Sequence, residues 1–252
     1  MPDRRSDLAW RPVLAEYTGT MLLVAAVVGS GVMAATLSPD DVGLQLLENS
    51  VATTFALGAL ILIFGPVSGA HLNPVVSIAD WFLGRRTRTG LTARALAGYV
   101  VAQTAGAITG SILANLMFAL PAVEMSRTDR AAGHLWLGET VATAGLVLLI
   151  FALVRSGRPG IAPAAVGAYI GAAYWFTSST SFANPAVTIG RAFTDTFAGI
   201  TPASVPGFVL AQLGGLLVGV ALIHALYPAP HPAALITVRT PTTGTDRRTS
   251  VS

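Results

Sequence analysis

Two Asn-Pro pairs, Asn73-Pro74 and Asn184-Pro185, sit inside apolar stretches of a chain of 252 residues. Such a pair is costly in a membrane interior, where every backbone donor needs a partner. It makes sense at a helix start, with Asn as the N-cap and Pro in the first helical position. The flanking segments read Gly69-Ala70-His71-Leu72-Asn73-Pro74-Val75-Val76-Ser77-Ile78 and Ser181-Phe182-Ala183-Asn184-Pro185-Ala186-Val187-Thr188-Ile189-Gly190, like two copies of one ancestor. Two such helix starts place two amide side chains where a hydrogen-bonding solute could meet them.

The elements that must position these pairs are membrane spans. The chain is 53% hydrophobic and only 11% charged, far below the roughly 25% charged residues of soluble domains. Uncharged runs cover 49–79, 95–123 and 159–190, each long enough for a crossing of about 20 residues. The reading is an all-α membrane protein with six full spans, at 12–36, 48–67, 93–119, 134–154, 161–180 and 205–227. Two half-spans follow the Asn-Pro pairs, at 73–83 and 184–194. Residues 1–10 form a tail, 11–228 a channel domain with repeats at 11–120 and 134–228, and the Pro/Thr/Ser-rich 229–252 a disordered tail.

Every basic charge is an arginine, and the net charge is +3. Arg4, Arg5 and Arg11, then Arg85, Arg86, Arg88 and Arg94, then Arg155 and Arg158, and finally Arg239, Arg247 and Arg248 cluster between or beyond spans. The positive-inside rule puts these segments and both termini in the cytoplasm. That pattern argues for topology and against nucleic-acid binding. The absence of cysteine excludes disulfides and thiol chemistry. The scattered histidines offer no metal-ligand spacing, and no nucleophile–base pair or phosphate-binding glycine loop is present. Neither an enzyme nor a cofactor is expected.

The internal repeat goes beyond the Asn-Pro pairs. Glu16 opens the first span and Glu139 the fourth, while Ala102-Gln103 and Ala211-Gln212 recur in spans three and six. An odd number of spans per half gives the halves opposite orientations. The two half-helices, each about 15 Å long, then enter from opposite faces and meet near the midplane. The preceding chain must return as irregular backbone lining a wet cavity. Carbonyls of Gly69, Ala70, His71, Leu72, Ser181, Phe182 and Ala183 are candidate acceptors, and Asn73 and Asn184 are the central donors. The two positive helix ends disfavour cations and protons there. Together these describe a channel for small neutral solutes.

Ser68-Gly69-Ala70-His71-Leu72-Asn73-Pro74-Val75-Val76 and Asn184-Pro185-Ala186, with Glu16 and Glu139, resemble the aquaporin or major intrinsic protein family over about residues 10–228. The resemblance implies a right-handed six-helix bundle with an inverted repeat, one pore per protomer, a homotetramer in membrane lipid, and passive transport. It also implies a pore centre at Asn73, Pro74, Val75, Asn184, Pro185 and Ala186. The stretch from Phe182 to Ile200 is similar to a bacterial subgroup associated with arsenic resistance. That similarity implies the bacterial cytoplasmic membrane, and arsenous acid or methylated arsenicals as cargo beside glycerol-like polyols and water.

Two positions depart from the family pattern. Val75 stands where the first motif usually has Ala. Val187 stands where an Arg commonly follows the second motif and forms the outer filter. Counting without gaps from the asparagines puts the other filter positions at Thr53, Ala172 and Ser181. This ring is small and uncharged, and the expectation is a wide filter without strict water selectivity. Arg191, four residues after Val187, shares its helix face and could reach back over it. The bland alternative is an Arg191–Asp195 ion pair.

Glu16 and Glu139 are carboxylates inside spans, where ionisable groups are functional candidates by default. Their symmetric placement favours support of the loop backbones, with Gln103 and Gln212 clamping the half-helices. A proton-coupling role would make the protein a secondary active transporter, a second alternative. An ordinary water channel and a tetrameric scaffold with a closed pore are the others. His71 reads as a loop-packing residue rather than a pH gate.

Overall fold

The computed structural model describes residues 10–85 and 87–227. Eight α-helices run in chain order: α1 Trp10–Leu37, α2 Val42–Ser68, α3 Pro74–Gly84, α4 Ala93–Met117, α5 Gly133–Arg155, α6 Ala162–Phe176, α7 Pro185–Gly190 and α8 Val205–Leu226. Five of them (α1, α2, α4, α5 and α8) are long and apolar enough to cross a membrane. Their outward faces are apolar: Phe55 is 73% exposed, Leu217 71%, and Val101 and Leu210 each 69%. A surface of this kind suits hydrocarbon and not water.

The spans follow local chemistry. Asp41 caps α2 by accepting the Leu44 N–H at 2.9 Å, so the helix starts six residues before the expected 48 and takes in Glu48. Thr92 caps α4 through the Ala95 N–H at 3.2 Å. The fifth crossing, expected at 161–180, is shorter. A 3-10 turn over Pro159–Ile161 leads into the 15 residues of α6, about 22 Å of helix. The polar run Thr177-Ser178-Ser179-Thr180 then ends it. The tails 1–9 and 228–252, including the proposed disordered segment, lie outside the described residues.

Packing repeats between the halves. Helix α1 packs on α2 and α4 as α5 packs on α6 and α8, and α2 meets α6 across the pseudo-symmetry axis. Small residues permit the close approach that helix association in lipid favours. A Cβ at Gly106 or Gly110 on α4 would strike the Tyr17 or Met21 carbonyl of α1. A Cβ at Gly215 on α8 would lie 2.5 Å from the Thr140 carbonyl of α5. The half-helices are held between the repeats: α3 packs on α4, α5 and α8, and α7 on α4 and α8.

Candidate functional site: a pore between two half-helices

The half-helices begin as the sequence predicts. Asn73 Oδ1 accepts the Val75 N–H at 3.0 Å, and Asn184 Oδ1 accepts the Ala186 and Val187 N–H groups at 3.0 and 3.3 Å. The amide nitrogens cross over. Asn73 Nδ2 donates to the Ala183 carbonyl and Asn184 Nδ2 to the Leu72 carbonyl, each at 2.8 Å. The asparagines therefore lock the two loops together, and each keeps one N–H for the lumen. The same bonds use one acceptor position on each of the Leu72 and Ala183 carbonyls, two of the candidate solute acceptors.

The loops leading to the asparagines are strained in register. Ala70 and Leu72 have φ of 48° and 48°, and Ser181 and Ala183 have 51° and 48°, at matching distances before each asparagine. Left-handed backbone at non-glycine residues survives only where its surroundings over-determine it. Buried carboxylates do so here. Glu16 accepts the His71 and Leu72 N–H groups at 3.0 and 2.6 Å, and Glu139 accepts those of Phe182 and Ala183 at 2.8 and 2.8 Å. Gln103 Nε2 bridges Glu16 (2.8 Å) to Ser77 of α3 (2.9 Å), and Gln212 Nε2 bridges Glu139 (2.6 Å) to Thr188 of α7 (2.9 Å). Each carboxylate has both oxygens engaged by the loop it supports. Ser77 and Thr188, four residues after each asparagine, were not singled out from the sequence. The repeat alignment would have found them.

One continuous cavity of about 630 Å³ runs past both asparagines. One wall is apolar, with Leu23, Val27, Leu57, Leu146, Val166 and Ile170; the other carries Gly69, Ala70, His71, Ser181 and Phe182 beside the asparagines. Of the six expected pore-centre residues, Asn73 and Asn184 line this cavity, while Pro74, Pro185 and Ala186 are buried behind them. Val75 packs away from the lumen against Val147, Phe151, Leu216 and Ile223. Its branched side chain thus fills a core between α3, α5 and α8 and does not narrow the pore.

The cavity lining near α7 differs from the gap-free count. Thr53, Ser181 and Val187 line the cavity. Ala172 instead lies exposed on the outer surface of α6. Tyr174, 4% exposed, takes the inward place and meets Thr53 hydroxyl to hydroxyl at 3.2 Å. Val166, Ile170 and Tyr174 recur every four residues on the inward face of α6, a helical period that counting across the intervening loop ignored. The Ser181 hydroxyl is buried with no protein partner.

Arg191 also lines the cavity. Helix α7 stops after six residues and tightens into a 3-10 turn over Arg191–Phe193, shorter than the expected 184–194 half-span. Gly190 sits tight against α4, its carbonyl accepting the Ser111 hydroxyl at 2.7 Å. The Arg191 side chain is 3% exposed; Nε donates to the Ala198 carbonyl, and the guanidinium carbon lies 3.4 Å from the centroid of the Phe182 ring. The Arg191–Asp195 pair does not form, because Asp195 is 3.7 Å from Arg127 Nε and accepts the Arg127 N–H at 2.9 Å. A ring read as small and uncharged is bordered by a tyrosine and a guanidinium.

Comparison with known proteins agrees with this architecture. Residues 3–183 match the family described as major intrinsic protein. The chain is 51% identical over 222 residues to the aquaglyceroporin AqpS of Rhizobium meliloti, covering 88% of this chain and 92% of that one. It is 31% identical over 225 residues to the glycerol uptake facilitator protein of Pseudomonas aeruginosa, covering 77% of each. The X-ray structure of the aquaglyceroporin from Plasmodium falciparum superposes with a TM-score of 0.65 at 22% identity, over 86% of this chain and 96% of that one. With its paired asparagine-capped half-helices facing one cavity, the chain belongs to the major intrinsic protein family, multi-pass membrane channels and not enzymes.

Proposed function

We propose that the protein is a passive channel for small neutral solutes: water, glycerol-like polyols, and arsenous acid or methylated arsenicals. The observation that carries this reading is the cavity with an apolar wall on one side and two asparagine amides on the other. A polyol presents a hydrocarbon edge and a hydroxyl edge, and such a lumen serves both. The names of the relatives, an aquaglyceroporin and a glycerol uptake facilitator, support polyols. Arsenicals rest on the subgroup resemblance of Phe182 to Ile200 and on the small, neutral, trihydroxy character of arsenous acid.

In this reading Thr53, Tyr174, Ser181 and Val187 form the filter, with the free Ser181 hydroxyl as its solute-facing acceptor. Both termini lie in the cytoplasm of a bacterial cell, so the α7 mouth opens outward. The outward apolar faces serve lipid and a homotetramer. The transporter alternative needs a coupling group, and both oxygens of Glu16 and of Glu139 are engaged by backbone N–H groups.

Stopped-flow swelling of proteoliposomes in water, glycerol and arsenous acid gradients tests the proposal. Non-saturating flux of all three down their gradients is expected. Accumulation against a solute gradient would replace the channel with a transporter, water flux alone would leave an ordinary water channel, and no flux would leave a scaffold.

A further inference from the structure

Two arginines converge on one phenylalanine at the α7 mouth, and among the described residues neither forms an ion pair. The guanidinium carbon of Arg191 lies 3.4 Å and that of Arg130 5.0 Å from the centroid of the Phe182 ring. Adjacent carbonyls anchor them: Arg191 Nε donates to Ala198, and Arg130 Nε donates to Gly199 at 3.0 Å. Both are held by their ε nitrogens, and among the described residues the terminal nitrogens of each fork have no hydrogen-bond acceptor. Among the described residues the single ion pair is Arg127–Asp195.

The acids around this pair are committed elsewhere. Asp129 accepts the Ser204 hydroxyl at 2.8 Å and the Ala131 N–H at 3.0 Å. Asp195 belongs to Arg127. Glu139 is fully buried behind the loop, with its oxygens on Phe182, Ala183 and Gln212. Arg127, Arg130 and Arg191 against Asp129, Asp195 and Glu139 balance over the mouth as a whole, and the positive charge is local to the two guanidiniums at the Phe182 ring. Arg191 is 3% exposed and lines the cavity as a buried, incompletely paired cation, while Arg130 reaches the same Phe182 ring from outside the cavity lining.

We propose that Arg130 and Arg191 form a binding site for a small oxyanion at the α7 mouth of the pore. Guanidinium forks match carboxylate and phosphate oxygens in geometry as well as charge, giving short charge-assisted hydrogen bonds. The Phe182 ring and the paired carbonyls of Ala198 and Gly199 hold both forks in place before the ligand arrives, which lowers the ordering cost of binding. The ligand is a free oxyanion and not a lipid headgroup, because Arg191 faces the lumen and not the outer surface. A bound oxyanion would occupy the entrance that neutral solutes share.

Calorimetric titration of the full-length protein in zwitterionic-lipid nanodiscs with inorganic phosphate tests the site. Saturable binding is expected, weakened at least about tenfold in both Arg191→Gln and Arg130→Gln. Arg127→Gln, which removes a cation from the same mouth, should keep the original affinity. Should Arg191→Gln fail to fold, Arg130→Gln on the α4–α5 connection decides alone. No saturable binding, unchanged affinity in Arg130→Gln, or equal weakening by Arg127→Gln would overturn the proposal. Calorimetry needs no flux, so the channel reading and this site stand or fall in separate experiments.

Discussion

Asp80 and Arg191 occupy the same place in the two repeats, seven residues after the motif asparagine, and both line the one cavity with opposite charge. The repeat is symmetric in its supports and asymmetric at its mouths. Asp80 Oδ2 accepts the Leu91 N–H at 2.7 Å and ties down the chain leaving α3. Among the described residues the Arg191 side chain meets the Ala198 carbonyl and the Phe182 ring. A cation approaching along the cavity from the α7 side therefore meets a positive group where the α3 side presents a carboxylate.

Arg191→Gln should raise cation leak. A unit charge several ångströms from the path, at an effective dielectric near 20, supplies on the order of 1–3 kcal/mol, so removing it should raise the leak by about tenfold or more. Potassium and proton efflux from proteoliposomes measures it. Unchanged leak would assign the guanidinium a packing role only.

Glu139→Gln should destabilise the fold without exposing any coupled transport. The amide keeps one acceptor oxygen where the carboxylate supplied two to the Phe182 and Ala183 N–H groups. An unsatisfied buried donor costs about 1–3 kcal/mol, which thermal unfolding followed by circular dichroism should register as a lower Tm. A pH gradient should drive no accumulation of glycerol in either protein. Retention of full stability would contradict the carboxylate's role as loop support.

Tyr174→Ala should widen the cavity near α7 and speed glycerol flux several-fold, because the ring and its contact with Thr53 leave the lumen. Ala172→Leu, on the outer surface of α6, should leave flux unaltered. The opposite pattern in paired swelling assays would restore the gap-free count and move the inward face of α6 by two residues.

Acid should loosen the α4–α5 connection late. The Ser204 hydroxyl, with the Ala131 N–H, holds the Asp129 carboxyl below its ordinary value. A depressed acid stabilises the fold above its unfolded pKa, and that contribution fades as pH falls through the lower folded value. Hydrogen exchange across residues 126–131 should thus stay slow through mildly acidic pH and rise only in stronger acid. Asp129→Asn should show the faster exchange already at neutral pH.

The sequence by itself determined the repeat and its central devices. Asn-Pro, Glu and Ala-Gln recur at fixed offsets, and each is read by local chemistry: a cap, a ring-fixed φ, a buried carboxylate needing donors. Those inferences need only one turn of helix or one loop, so they are legible along the chain. Tertiary structure alone decided which way side chains face. Val75 points into the core between α3, α5 and α8, Ala172 points outward while Tyr174 turns in, and Ala183 gives its carbonyl to Asn73. A helix rotates about 100° per residue, so a loop that gains or loses a residue relative to a family pattern turns the following face away from the pore. The meeting of Arg130 and Arg191 at the Phe182 ring joins residues 61 positions apart in the chain, and no periodicity records that. The motif names the channel; the packed bundle chooses which side chains a solute meets.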